Sequence, residues 1–193
     1  MADYQIVLGW LSVIIGLASY VPYFRDIFAG TTKPHPFSWF VWTLITGITF
    51  FAQVTAGGGL GAWATGATMV ANFAVVLLAL RRGERGITKI DWACFVGALA
   101  GILVWALTKN PLAAVLIVTV VDALAFAPTV RKAYEKPRSE TLSLFVWGVV
   151  KYALAIPALA IFNFTTVLFP ASVIVLNVLF VGVVLIRRRQ VSA

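Results

Sequence analysis

Charge is what this sequence has least of. Only 11% of its 193 residues are Asp, Glu, Lys or Arg, while 61% are apolar and the mean hydropathy is +0.96. Soluble domains carry about a quarter charged residues, so the shortage excludes that class. A single cysteine, Cys94, excludes a disulfide scaffold, and in its apolar run a thiol behaves as a small hydrophobe. A single histidine, with no HExxH pattern and no Ser/His/Asp set, leaves no catalytic machinery: the chain reads as a non-enzyme without cofactor or metal. That histidine, His35, falls in a polar loop and is expected to be solvated. No Lys or Arg precedes Arg25, so the basic start of a signal peptide is missing and the first helix is expected to stay. No Pro/Gly/Ser-rich linker or low-complexity tract divides the chain, and the glycine-rich stretch 55–63 lacks the charge of a phosphate loop and reads as an external turn.

What the sequence does have is long apolar runs. A spanning helix needs about 20 such residues. The segments near 4–22, 37–55, 62–80, 91–108, 112–130, 143–161 and 167–186 qualify or nearly do, which predicts an all-α integral membrane protein of seven transmembrane helices. Alternating the loops across seven spans puts Arg25, Lys33, Arg81, Arg82, Arg85, Lys89, Arg131, Lys132, Lys136, Arg138 and Arg187 to Arg189 on one side and only Lys109 on the other. The positive-inside rule then places the N-terminus outside and the C-terminus in the cytoplasm, in a plasma (inner) membrane. The net charge of +8 reads as a topology signal and lipid anchor, with no nucleic-acid partner.

The chain also repeats itself. "SWFVW" at 38–42 returns as "SLFVW" at 143–147, and an ungapped offset of 105 also aligns Asn72 with Asn177 and Arg82 with Arg187. Upstream the offset is 106, aligning Pro22, Arg25 and Phe28 with Pro128, Arg131 and Tyr134. The unit is three helices long, giving a first repeat at 1–86, a linker helix at 87–110 and a second repeat at 111–193. A single inserted span restores the orientation, so the repeats are expected to be parallel three-helix bundles related about the membrane normal. Gly97 and Gly101 on the linker helix have the GxxxG spacing of a close helix contact.

Span midpoints bring Asn72, Asp122, Lys151 and Asn177 into one layer near the bilayer centre, joined by Thr46, the repeat partner of Lys151. Charges at that depth cost about 2.5–3.5 kcal/mol each, so they face the interior, a partner or water. Both belong to the second repeat, because Gly16 holds the position of Asp122. Two readings stand: an Asp122–Lys151 ion pair bracing helices 5 and 6, or Asp122 as a proton or cation site regulated by Lys151. The asparagines read as substrate-binding amides or as interhelical glue. Trp42 and Trp147, one turn inside the boundary, read as belt or gate-packing residues, and Arg25 and Arg131 as interface markers.

These residues resemble the SWEET and PQ-loop superfamily. The resemblance rests on the 3+1+3 plan, on Pro22 with Pro128 at the ends of the first helices, and on Asn72 with Asn177 in the third helices. Tyr23 and Thr129 stand where the family writes the Gln of its PQ dipeptide, and a second-helix proline occurs only as Pro157, opposite Ala52. The resemblance implies a pocket faced by the asparagine pair and hinges at Pro22, Pro128 and Pro157. The expected function is alternating-access transport of a small polar solute (a sugar, an amino acid or a vitamin-like molecule) by a uniporter or proton symporter. Membrane lipids are its other partners, and a homo-oligomer is compatible with the reading. The alternatives are a seven-helix ligand receptor on the same fold, or a retinal protein using Lys151.

Overall fold

The computed structural model describes residues 3–55, 57–108 and 111–191. Among them the chain forms seven helices: α1 (Asp3–Phe28), α2 (Pro36–Thr55), α3 (Leu60–Arg82), α4 (Lys89–Thr108), α5 (Pro111–Glu135), α6 (Leu142–Ala155) and α7 (Phe164–Gln190). Four of these, α1, α2, α3 and α7, are long and apolar enough to cross a membrane. Lys109, the lone basic residue assigned to the opposite side, lies outside the described residues.

Local chemistry sets the helix ends. Pro36 and Pro111 open α2 and α5, where the missing N–H is an orphan anyway. Gly30 follows α1 at φ 76°, a left-handed turn that a side chain would strain, and the Thr31 N–H turns back onto the Asp26 carbonyl. A capping box starts α7: Asn163 Oδ1 accepts from the Thr166 N–H at 3.0 Å, and Thr166 Oγ1 accepts from the Asn163 N–H at 3.1 Å. α6 is shorter than the expected 143–161. It stops at Ala155, two residues before Pro157, whose missing N–H ends the ladder, so this proline lies at a helix end and not inside a helix. Pro22 and Pro128 do lie within α1 and α5, and Pro170 lies within α7.

The packing pairs close a ring. α1 packs on α3, α3 on α2, α2 on α5, α5 on α7, α7 on α6, and α6 back on α1; α4 stands outside, against α5 and α2. The pairs recur at the spacing of the sequence repeat: α1 with α3 matches α5 with α7, and α2 with α3 matches α6 with α7. Even single contacts recur. Arg82 lies 5.1 Å over the Phe28 ring and donates to the Phe28 carbonyl, while Arg187 lies 4.0 Å over the Tyr134 ring and donates to the Tyr134 carbonyl. The Gly97 and Gly101 face of α4 meets α5, where a Cβ on Gly101 would come to 2.6 Å from Val121 Cγ2.

The ends of α1, α3 and α5 and the starts of α2, α4 and α6 gather at one charged end. There Thr141 donates to Asp26 at 2.7 Å, Thr129 to Ser38 at 2.8 Å, and Arg131 to Asp91 at 2.7 Å. At the opposite end Gln5 donates to the Leu159 carbonyl and Gln53 to the Thr166 carbonyl.

Candidate functional site: a cavity inside the ring

Inside the ring lies a cavity of about 70 Å³, bordered by residues of all six ring helices and none of α4. A water needs about 10–15 Å³ measured this way, so several waters or a small solute fit. Ser19 and Tyr20 come from α1, Trp39, Trp42 and Thr46 from α2, Thr68 and Asn72 from α3, Asp122 and Phe126 from α5, Lys151 and Tyr152 from α6, and Asn177 from α7. Thr46, Asn72, Asp122, Lys151 and Asn177, the layer read from span midpoints, all border it.

Asn72 is 3% exposed and accepts at Oδ1 from the Tyr20 hydroxyl at 2.5 Å. Its repeat counterpart Asn177 has Phe126 at the Tyr20 position, so the hydroxyl is missing there. Asn177 instead lies beside Gly148, where a Cβ would come to 2.6 Å from its Nδ2. Thr46 spends its hydroxyl on the Trp42 carbonyl at 2.6 Å.

The two buried charges are not a pair. Among the described residues no ion pair joins Asp122 to Lys151, and α5 and α6 meet across the ring at the Phe126 and Phe145 rings, 6.2 Å apart. α5 packs on α2 and α6 packs on α1, so the charges look into different seams of the ring. Lys151 Nζ donates to Thr68 Oγ1 at 2.8 Å and sits 4.3 Å from the Tyr152 ring centre. Its stem fills space that Gly16 leaves, since a Cβ there would meet Lys151 Cδ at 2.7 Å. Asp122 is 1% exposed beside Trp42, and among the described residues neither Asp122 Oδ2 nor Trp42 Nε1 has a well-formed hydrogen bond. An unmet buried acceptor costs about 1–3 kcal/mol, which a polar guest can recover.

The tryptophans separate. Trp42 is 7% exposed and meets Phe126 edge-on at 4.8 Å, whereas Trp147 is 46% exposed on the outside of α6. It does not border the cavity. Tyr20 stands where Phe126 stands opposite Trp42, and Trp39 already covers it at 6.3 Å.

Sequence reasoning missed Tyr20, Trp39, Thr68 and Tyr152. The signal for Thr68 was present: Thr65, Thr68 and Asn72 follow one another at helical spacing along one buried face of α3. Tyr20 and Tyr152 carry no such mark, because a tyrosine in an apolar run reads as a belt residue.

At the charged end His35 is fully buried, contrary to the solvated loop expected. Its Nε2 lies 3.4 Å from Asp91 Oδ2, and Asp91 is held by Arg131 and by the Thr88 N–H. Burial, above all, keeps the His35 imidazole below its ordinary value, with Asp91 opposing and Lys132 and Arg131 reinforcing. Lys132 binds Glu140 and the Lys33 carbonyl, and burial raises the Glu140 carboxyl despite that partner. Arg131 is thus a structural tie as well as an interface residue, while the Arg25 side chain is 75% exposed.

Comparison with protein-family models, with curated proteins and with solved structures found no match.

Proposed function

We propose that this protein is a seven-span membrane carrier of a small polar solute, working by alternating access between two parallel three-helix repeats, 1–86 and 111–193, joined by the linker helix 87–110. This is the function that the resemblance to the SWEET and PQ-loop superfamily implies. The N-terminus is outside and the C-terminus in the cytoplasm of a plasma (inner) membrane, as the loop charges require. One observation carries the reading: a cavity bordered by Asn72, Asp122, Lys151 and Asn177 lies inside a ring to which each repeat gives three helices, and the linker helix borders none of it. Carriers built from parallel repeats bind at the repeat interface near midplane. In this reading Asn72 and Asn177 hold the solute, Thr46 and Lys151 border it, and Asp122 is the coupling proton site. Pro22 and Pro128 interrupt the hydrogen-bond ladders of α1 and α5 and permit bending there.

The test is a thermal-shift screen of sugars, amino acids and nucleosides, followed by uptake of each hit into liposomes. A ligand at a hundred times its Kd stabilises by about 2.7 kcal/mol. Asn72→Ala and Asn177→Ala are expected to weaken both binding and uptake while the variants still melt cooperatively. Wild-type uptake by the double variant ends the assignment of the asparagines. Binding without any flux moves the protein to a receptor on the same fold.

A further inference from the structure

A second opening lies on the outside of the ring, between α5 and α7. It is a groove of about 520 Å³ with nearly continuous apolar walls. Small residues on α5 open it: Ala123, Ala127 and Val130 stand at the repeat positions where α1 carries Leu17, Val21 and Phe24. Leu176 and Leu179 of α7 form the facing wall. Its two ends differ in chemistry. One is at Ala123, next to Asp122 in the midplane layer; the other is at Arg131 and Tyr134, at the charged end. Ala123 to Tyr134 is eleven helical rises, about 16 Å. One leaflet of a bilayer's hydrocarbon core is about 15 Å.

We propose that this groove is a binding site for one acyl chain of an anionic phospholipid, whose phosphate is held at the mouth by Arg187. The length match selects a lipid chain of a single leaflet. The mouth selects the headgroup. Arg187 stacks on Tyr134 at 4.0 Å and Arg189 follows in the last turn of α7, while Arg188 is turned to the Pro137 and Glu140 carbonyls; Arg131 and one acidic residue, Glu135, border the groove itself. Such basic clusters at a helix end attract anionic lipid. Phe126 borders both the groove and the central cavity, so the chain touches the back of the ring whose front borders the cavity. The proposal rests on the helices lying in a bilayer and is independent of transport.

The experiment is native mass spectrometry of the protein exchanged into micelles containing phosphatidylglycerol or phosphatidylcholine, with melting followed on the same samples. The wild type is expected to keep one phospholipid and to prefer phosphatidylglycerol. Ala127→Leu, which plugs the groove halfway, is expected to lose the bound lipid. Arg187→Gln is expected to keep it but with phosphatidylglycerol held about fivefold more weakly, the effect of one basic residue at a membrane surface. Equal retention of both lipids by the wild type overturns the headgroup assignment, and undiminished lipid on a cooperatively melting Ala127→Leu protein overturns the site. Should Ala127→Leu not fold, the Arg187→Gln selectivity alone decides: an unchanged preference overturns the proposal.

Discussion

Lys151 donates to Thr68 and lies against Gly16, while Asp122 has Trp42 for a neighbour, so each charge answers to its own seam. Had they formed a buried pair, neutralising both would rescue the damage of neutralising one. With no ion pair between them, the Tm losses of Asp122→Asn and Lys151→Met are expected at least to sum in the double variant rather than to cancel, although both side chains border one cavity beside Tyr152. A double variant markedly more stable than that sum restores the ion pair. On the carrier reading, Asp122→Asn also abolishes pH-driven uptake while solute exchange persists, measured by a pH jump in liposomes. His35 makes a separate prediction. Its folded value lies below the ordinary imidazole value of about 6.5, so between the two the unfolded chain binds more protons. Its contribution is therefore complete above about pH 6.5 and is lost as the pH falls toward the folded value. The groups around it are Asp91, Arg131 and Lys132. The Tm difference between the wild type and His35→Gln is expected to shift against the wild type on acidification through that window; a constant difference refutes the buried, neutral histidine.

At the scale of helices, glycines decide how closely the seams approach. A Cβ on Gly61 would come to 2.9 Å from the Leu159 nitrogen and 3.0 Å from the Ala155 carbonyl, all backbone that cannot rotate away. Gly61→Ala is expected to cost about 1–3 kcal/mol, read as a lowered Tm. At Gly16 the obstacle is the Lys151 stem, which is flexible. Gly16→Ala is therefore expected to melt closer to the wild type while perturbing the cavity, seen as weakened solute binding. If the two variants melt alike, the seam against the end of α6 is not as tight as described. The early end of α6 has a similar origin. Its apolar run continues past Ala155, and Ile156 still has helical dihedrals (φ −56°, ψ −55°), but Pro157 has no N–H to extend the ladder, an effect that does not register in a hydropathy window.

For the whole molecule, the charged end is shut. The 29–35 and 136–141 connections meet through the Lys33 N–H on the Ser139 carbonyl at 3.3 Å, and the Thr32 and Thr141 hydroxyls touch at 2.6 Å. A carrier that rocks its two bundles must separate these groups in each cycle. Thr32→Cys with Thr141→Cys, in a Cys94→Ser background, is expected to form a disulfide on oxidation that stops uptake and to recover on reduction. Full uptake by the oxidised, crosslinked protein sinks the rocking mechanism.

The sequence by itself determined the all-helical, apolar character of the chain and the 105-residue repeat, because periodicity and hydropathy are properties of residue order. It also put Thr46, Asn72, Asp122, Lys151 and Asn177 at one level along their helices, where all five border the cavity, since position along a helix follows from counting at a fixed rise. Which way a residue faces around its helix, and which helix it then meets, is decided by packing between distant segments. Only the tertiary structure could put Trp42 inside and Trp147 outside, bury His35 against Asp91, and set Lys151 and Asp122 in separate seams. The last of these has a simple physical origin: α1 packs on α6 and α2 on α5, so repeat-equivalent positions meet across the ring in crossed pairs, and Lys151 finds the glycine that stands for Asp122.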